Sequence, residues 1–306
     1  MAEIILKLRR LFCSLVAPSQ RSSIPIVSPH VSQLLTLDDW RAHRFGLSPS
    51  LWESLTGKCF WVTGGGSGYG RAIAIALLAS GCEVFVTGRS QEKLNSICTL
   101  LSQAGIQGDR YHPLPADLSQ TEQIDRACQI IRDTAPELTG LVHCAAMLLK
   151  HVYEAPLCQM QDEEWQDMLD LNLMAAVRLA RGILPQMLNS GGARILFLTS
   201  EAGWADTPGM GPYNVTKAAL NSFCASFAAE CSVAHPQRDI QVNVLDPGEA
   251  GTEMNQASHI SPFAAVPMTL RLLAQPEGGP NGRFFHRDGR HLGFAYAEPF
   301  DRVLVQ

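Results

Sequence analysis

The chain has 306 residues, 46% hydrophobic and 17% charged, with a formal net charge of -5. That balance supplies enough apolar material for a large core and excludes a disordered, collagenous or disulfide-scaffold protein. The acidic total lacks the basic surplus that holds phosphate backbones, so no nucleic-acid partner is expected, and no run of about 18 apolar residues predicts a membrane span.

Residues 1–56 carry six Lys and Arg against four Asp and Glu, leaving 18 against 25 for residues 57–306. A net +2 extension thus precedes a net -7 body. Ile4, Ile5, Leu8, Leu11, Phe12 and Leu15 recur at helical spacing beside Lys7, Arg9 and Arg10, which predicts a short amphipathic helix within Met1 to Ala17. Pro18, Ser19, Ser22, Ser23, Pro25, Ser28 and Pro29 read as a linker, so residues 1–34 are expected to be flexible. Trp40, Phe45 and Trp52 lie in a polar stretch, and three large apolar side chains there predict that residues 35–56 dock on the body.

From residue 57 onward a single dinucleotide-binding domain is expected. Apolar or β-branched runs recur at Cys59 to Val62, Glu83 to Thr87, Tyr111 to Leu114, Leu141 to Cys144, Arg194 to Leu198 and Gln241 to Leu245. Helical patterns with Gly or Pro at the joints separate them, as in Arg71 to Ser80 closed by Gly81. Continuous apolar strands alternating with helices predict an α/β fold, a doubly wound and mostly parallel Rossmann-type sheet covered on both faces.

Thr63-Gly64-Gly65-Gly66-Ser67-Gly68-Tyr69-Gly70 follows the first strand and opens the next helix. A glycine-rich joint of this kind lets the backbone approach a pyrophosphate, and the helix N-terminus adds N–H groups and positive partial charge. Gly64 would make the tight turn, Gly68 the close approach and Gly70 the helix-to-strand contact. The second strand ends in Thr87-Gly88-Arg89-Ser90. No carboxylate stands there for a ribose hydroxyl, and the Arg89 guanidinium suits a 2'-phosphate, so NADP(H) is expected over NAD(H). In Ala116-Asp117-Leu118, at the end of the third strand, Asp117 either accepts from the adenine amine or caps the next helix.

Tyr213 and Lys217 stand four residues apart, on one face of a helix. A phenol with a reference pKa of about 10 is a poor base at neutral pH, and lowering that value by about three units takes roughly 4 kcal/mol from a neighbouring cation. Ser200 closes the apolar strand thirteen residues earlier, and Asn172 lies in the preceding helix. Strand ends of this kind border the crevice of an open α/β sheet.

Taken in order, the TGxxxGxG turn, Asp117, Asn172, Ser200, Tyr213 with Lys217, and Pro247-Gly248 followed by Thr252 resemble the single-domain branch of the short-chain dehydrogenase/reductase family. The match runs from about Lys58 to Gly282-Arg283-Phe284-Phe285. The resemblance implies an enzyme that moves a hydride between nicotinamide and a small-molecule carbonyl or alcohol carbon, with Tyr213 handling the proton on oxygen. It implies that Lys217 lowers the tyrosine pKa and holds the nicotinamide ribose, Ser200 binds the substrate oxygen, and Asn172 holds a water linking Lys217 to solvent. Pro247, Gly248 and Thr252 would border the nicotinamide. One stretch departs from the pattern: His143-Cys144-Ala145-Ala146 replaces Asn-Asn-Ala-Gly. Ala145 keeps the small residue beside the cofactor, while His143 reads as a packed histidine replacing an amide hydrogen bond.

The apolar segment after Thr252, with Met254, Ile260, Phe263 and Met268, takes the place of the family's variable substrate lid, and Glu201, Trp204, Met210 and Glu249 are the other expected pocket neighbours. Leu220, Phe223, Cys224, Phe227, Ala228 and Cys231 form a stripe that serves the core and, by the resemblance, a homodimer or homotetramer face. The nine cysteines never form a CxxC pair, so no metal set is expected and buried thiols of the reducing cytoplasm are. Two alternatives stay open: a nucleotide-sugar epimerase or dehydratase using the same Tyr213 and Lys217, and a non-catalytic NADP-binding protein.

Overall fold

A computed structural model of the chain describes residues 43–135, 137–149, 157–205 and 207–292. The expected amphipathic segment, the linker and Trp40 lie outside the described residues. Eight strands form one sheet: β1 (Cys59–Thr63), β2 (Glu83–Gly88), β3 (Tyr111–Pro115), β4 (Leu138–His143), β5 (Gly192–Leu198), β6 (Asp239–Asp246), β7 (Phe284–His286) and β8 (His291–Leu292). Their order is β3-β2-β1-β4-β5-β6-β7-β8, with every pair parallel except β7 and β8. Because β1 pairs with β2 on one side and β4 on the other, the order reverses at the carboxyl end of β1. That is where an open α/β sheet leaves its crevice.

Eight α-helices accompany the strands among the described residues: α1 (Pro49–Glu53), α2 (Gly68–Ala79), α3 (Gln91–Gln103), α4 (Thr121–Thr134), α5 (Asp162–Leu169), α6 (Ala175–Asn189), α7 (Pro212–Ala234) and α8 (Val266–Leu273). Every residue of β1 is buried, as a strand covered on both faces requires. Alternation then divides its side chains. Phe60 and Val62 join a core with α2, α3 and α8, whereas Trp61 joins a second core with α4, α6 and α7.

Each of the six apolar runs falls on a strand with shifted ends, and Cys144 of the fourth lies just past its strand. That strand starts at Leu138, three residues before its apolar run, because Thr139 and Gly140 interrupt the pattern. Gly140 has no room for a side chain: a Cβ there would lie 2.5 Å from the Arg194 carbonyl oxygen. Before β1, Phe45, Leu47, Trp52 and Leu55 are buried in the α2-side core, and Phe45 stacks on Phe263 at 6.1 Å. Ser48 caps α1 by accepting from the Leu51 N–H, and Pro49 sits in its first turn.

Candidate active site

The turn after β1 is folded tightly on itself. Gly64 has φ +66°, and a Cβ on it would lie 2.6 Å from the Ala145 nitrogen, so the turn rests on the backbone at the end of β4. A Cβ on Gly70 would overlap the Gly64 carbonyl, so this glycine seats α2 on the turn itself and not on a strand. Gly68 lies against the Thr252 methyl, 3.2 Å from the place its own Cβ would take. Ser67 makes no side-chain cap to α2. The N–H groups of the first turn therefore suit an anionic acceptor.

Arg89 is exposed at the end of β2, with no hydrogen bond or ion pair to another described residue. Asp117 uses one carboxylate oxygen in a local turn, accepting from the Ser119 N–H at 3.0 Å and the Ser119 hydroxyl at 2.9 Å, and Leu118 is buried. Sequence reading missed the Lys93 ammonium, which reaches both carboxylate oxygens of Glu253 at 2.6 Å. That pair joins α3 to the residue after Thr252 across 160 positions of chain, a separation no local pattern reveals.

The four proposed catalytic side chains gather around the carboxyl ends of β4 and β5. Tyr213 and Lys217 lie on α7, both buried, with the Lys217 Nζ 5.5 Å from the centre of the Tyr213 ring. The ammonium donates to the Leu198 carbonyl at 2.9 Å. Burial pulls its pKa down to about 8, against the raising effect of Cys144 and Asp246. Ser200 follows β5 and caps the short turn Glu201–Gly203, its Oγ accepting from the Ala202 N–H at 3.2 Å. This bond uses the oxygen as acceptor and leaves the hydroxyl proton for another partner.

Asn172 sits on a π-helical turn, Asp170–Met174, between α5 and α6. Such turns insert one residue into a helix and redirect a side chain. Here the redirected amide is fully buried: Oδ1 accepts from the Met147 N–H at 2.7 Å, and Nδ2 donates to the Met147 carbonyl at 3.0 Å and the Thr216 hydroxyl at 3.2 Å. Asn172 thereby pins the strand-end segment after His143 to the helix bearing Tyr213.

Within the altered stretch, His143 Nδ1 lies 2.8 Å from the Thr63 hydroxyl, so its ring bridges paired residues of β1 and β4. Burial and the Lys217 charge pull its pKa down to about 3, which makes it a neutral ring. Burial pushes the Cys144 thiol up to about 12, with Lys217 opposing. Neither is poised for proton transfer at neutral pH.

Around Tyr213 lies an apolar group that sequence reading found only at Met210. Met160, Met168 and Ala202 are buried with the tyrosine, and Met147, Leu148, Leu149, Trp165 and Met210 are half-buried against them. Glu201 and Glu249 are exposed, as are Trp204, Met254 and Ile260. On the other side, Pro247 and Gly248 follow β6. The Gly248 N–H donates to Asp246 Oδ1 at 2.9 Å and its carbonyl accepts from the Tyr69 hydroxyl at 2.5 Å, while burial raises the Tyr69 pKa.

The model of the short-chain dehydrogenase family matches residues 58–261. The chain belongs to the short-chain dehydrogenase family. It is therefore an oxidoreductase of that fold. An uncharacterised oxidoreductase of Staphylococcus aureus is 28% identical over 229 residues, 73% of this chain and 94% of the relative. Another, from Bacillus subtilis, is 33% identical over 196 residues, 64% of this chain and 70% of the relative. Among solved structures, a Pseudomonas syringae protein described as a short-chain dehydrogenase has a TM-score of 0.69 at 26% identity, covering 77% of this chain and 96% of that one. A Shigella flexneri member complexed with NADP shares the fold, with a TM-score of 0.68 at 24% identity over 77% of this chain and 99% of its own.

Proposed function

We propose that this oxidoreductase uses NADP(H) to interconvert a small-molecule carbonyl and its secondary alcohol, with Tyr213 as general acid and base. The observation that carries the reading is Lys217, a buried ammonium beside the ring of a buried tyrosine at the carboxyl edge of a parallel sheet. A cation there favours the phenolate that remains once Tyr213 has given its proton to the carbonyl oxygen. The Ser200 hydroxyl would donate to the same oxygen as it gains alkoxide character. Asn172, with a lone pair of Oδ1 to spare, would hold the water linking Lys217 to solvent.

When bound, the cofactor supplies or accepts the hydride. Thr63, Gly64, Ser67, Gly68, Tyr69 and Gly70 would take the pyrophosphate, Arg89 the 2'-phosphate, and Asp117, Leu118 and Ala145 the adenosine side and its approach. Pro247, Gly248, Thr252 and the Tyr213–Lys217 pair would border the nicotinamide and its ribose. The NADP and NADPH complexes of structural relatives from Shigella flexneri and Escherichia coli support this cofactor class. Met147, Leu148, Leu149 and Met210 beside Tyr213 favour an uncharged, apolar carbonyl substrate. Hydride transfer is preferred to the epimerase or dehydratase reading because the matched relatives are oxidoreductases. The half-buried, stacked Phe223 and Phe227 on α7 support a homo-oligomer, and the buried free thiols suit the cytoplasm.

The test is a panel of apolar and polar carbonyls and alcohols assayed with NADPH and NADH, repeated on Tyr213→Phe. Loss of the acid and base group should lower turnover by about 10²–10⁴-fold. Wild-type activity should fall on the alkaline side near pH 8 as Lys217 loses its proton. Undiminished turnover in Tyr213→Phe would refute the assignment.

A further inference from the structure

We propose that Asp246 is a positioning residue for the reaction, a buried carboxylate that ties the Ser200 turn to the Pro247–Gly248 turn through the Trp204 indole. The proposal rests on the functional reading above and names a group outside the four side chains on which that reading depends.

Asp246 ends β6 and is 2% exposed. A carboxylate so deep is tolerated where its oxygens are hydrogen-bonded. Both are used, and each serves a different functional segment. Oδ1 accepts from the Gly248 N–H at 2.9 Å and so fixes the turn assigned to the nicotinamide. Oδ2 accepts from the Trp204 Nε1–H at 3.3 Å, and Trp204 directly follows the short turn that Ser200 caps.

The indole is 51% exposed, so burial alone does not set its orientation. The hydrogen bond to Asp246 supplies the missing constraint. The Gly248 peptide is held from its other side as well. Its carbonyl takes the Tyr69 hydroxyl, and the Arg287 guanidinium donates to the Pro247 carbonyl at 3.1 Å and the Glu249 carbonyl at 2.6 Å. Asp246 is the member of this group that reaches across to the β5 side, where Ser200 and Tyr213 lie.

The carboxylate also acts on Lys217 through its charge. Lys217 is surrounded by Tyr213 on its own helix, His143 and Cys144 at the end of β4, and Asp246 at the end of β6. Asp246 itself also acts on Tyr69 of α2, next to Arg287 and Glu249. Removing the Asp246 charge withdraws one of the two groups that hold the Lys217 pKa up. Lys217 then loses its proton at a lower pH.

Asp246→Asn and Trp204→Phe, made singly and together, test this against wild type with NADPH and the best carbonyl of the panel. Asp246→Asn keeps the side-chain shape but places one amide N–H against a donor. We expect turnover to fall about tenfold, the loss of one charge-assisted hydrogen bond, and the alkaline limb of kcat/KM to move to lower pH. Trp204→Phe should lower turnover comparably while leaving that limb in place, and the double variant should be no worse than Asp246→Asn alone. Losses that multiply in the double variant, or an alkaline limb unmoved in Asp246→Asn, would overturn the proposal. Trp204→Phe alters a half-exposed ring, so it decides the matter alone if Asp246→Asn does not fold: unchanged turnover there also overturns it. Tyr213→Phe run in parallel separates the two ideas, since undiminished turnover in that variant removes the functional reading itself.

Discussion

His143 shows how one residue can replace a family feature and bring a side effect. Its ring spans β1 and β4 through the Thr63 hydroxyl and lies edge-on to Phe197 at 6.2 Å, while its Nε2 is buried without a hydrogen-bond partner among the described residues. Folding therefore selects the neutral ring. A histidine with its folded pKa pulled from 6.5 to about 3 contributes stability that is complete above pH 6.5. That stability is lost as the pH falls below 6.5, by about 1.4 kcal/mol per unit. Between pH 7 and 5 this residue alone should account for about 2 kcal/mol. His143→Asn can still bond Thr63 but does not titrate, so its urea midpoint should change less between those two pH values than that of wild type. Equal acid sensitivity in the two proteins would show that the buried ring is not the cause.

At the level of elements, the segment before β1 is part of the folded body from Phe45 onward. Trp52 of α1 is 6% exposed, and Phe45 beside it adopts φ +48°, a conformation that costs a residue with a side chain about 1 kcal/mol or more unless packing holds it. Trp52→Ala should destabilise the protein by about 3–5 kcal/mol, measured by urea unfolding. A loss below about 1 kcal/mol would mean that the segment only rests on the surface. Of the three aromatic residues that mark this stretch in the sequence, Phe45 and Trp52 are buried, and Trp40 lies outside the described residues. The sequence made the strand-to-helix joint at Thr63–Gly70 legible because glycines fall at a change of period. The π-helical turn under Asn172 was not legible, since one inserted residue leaves no mark on composition. Nor, Met210 apart, were the apolar residues around Tyr213, which come from separate segments. The two short strands Phe284–His286 and His291–Leu292 carry too few residues for a period of two to stand out.

Across the whole molecule, the helices that carry the two halves of the candidate site pack into different cores. The α2 helix that opens at Gly68 packs on one face of the sheet, and the α7 helix bearing Tyr213 packs on the other. At the carboxyl edge the Gly64 turn rests on Ala145, and Gly68 lies against the Thr252 methyl. A dinucleotide lying along that edge would contact both layers, so its binding energy should stabilise the whole fold and not one lobe. At 100 times its Kd, a ligand that binds only the folded state adds about 2.7 kcal/mol. In a domain of this size that corresponds to a rise in Tm of roughly 5–10 °C. NADP+ should produce this rise at lower concentration than NAD+, because Arg89 is exposed and has no ion-pair partner among the described residues. Arg89→Asp should reverse the order, since a carboxylate repels the 2'-phosphate and can accept from the ribose hydroxyls. Thermal unfolding scans over a titration of each nucleotide measure both effects. If the two nucleotides shift wild type and Arg89→Asp alike, Arg89 does not read the phosphate, and selectivity must come from elsewhere along the same edge.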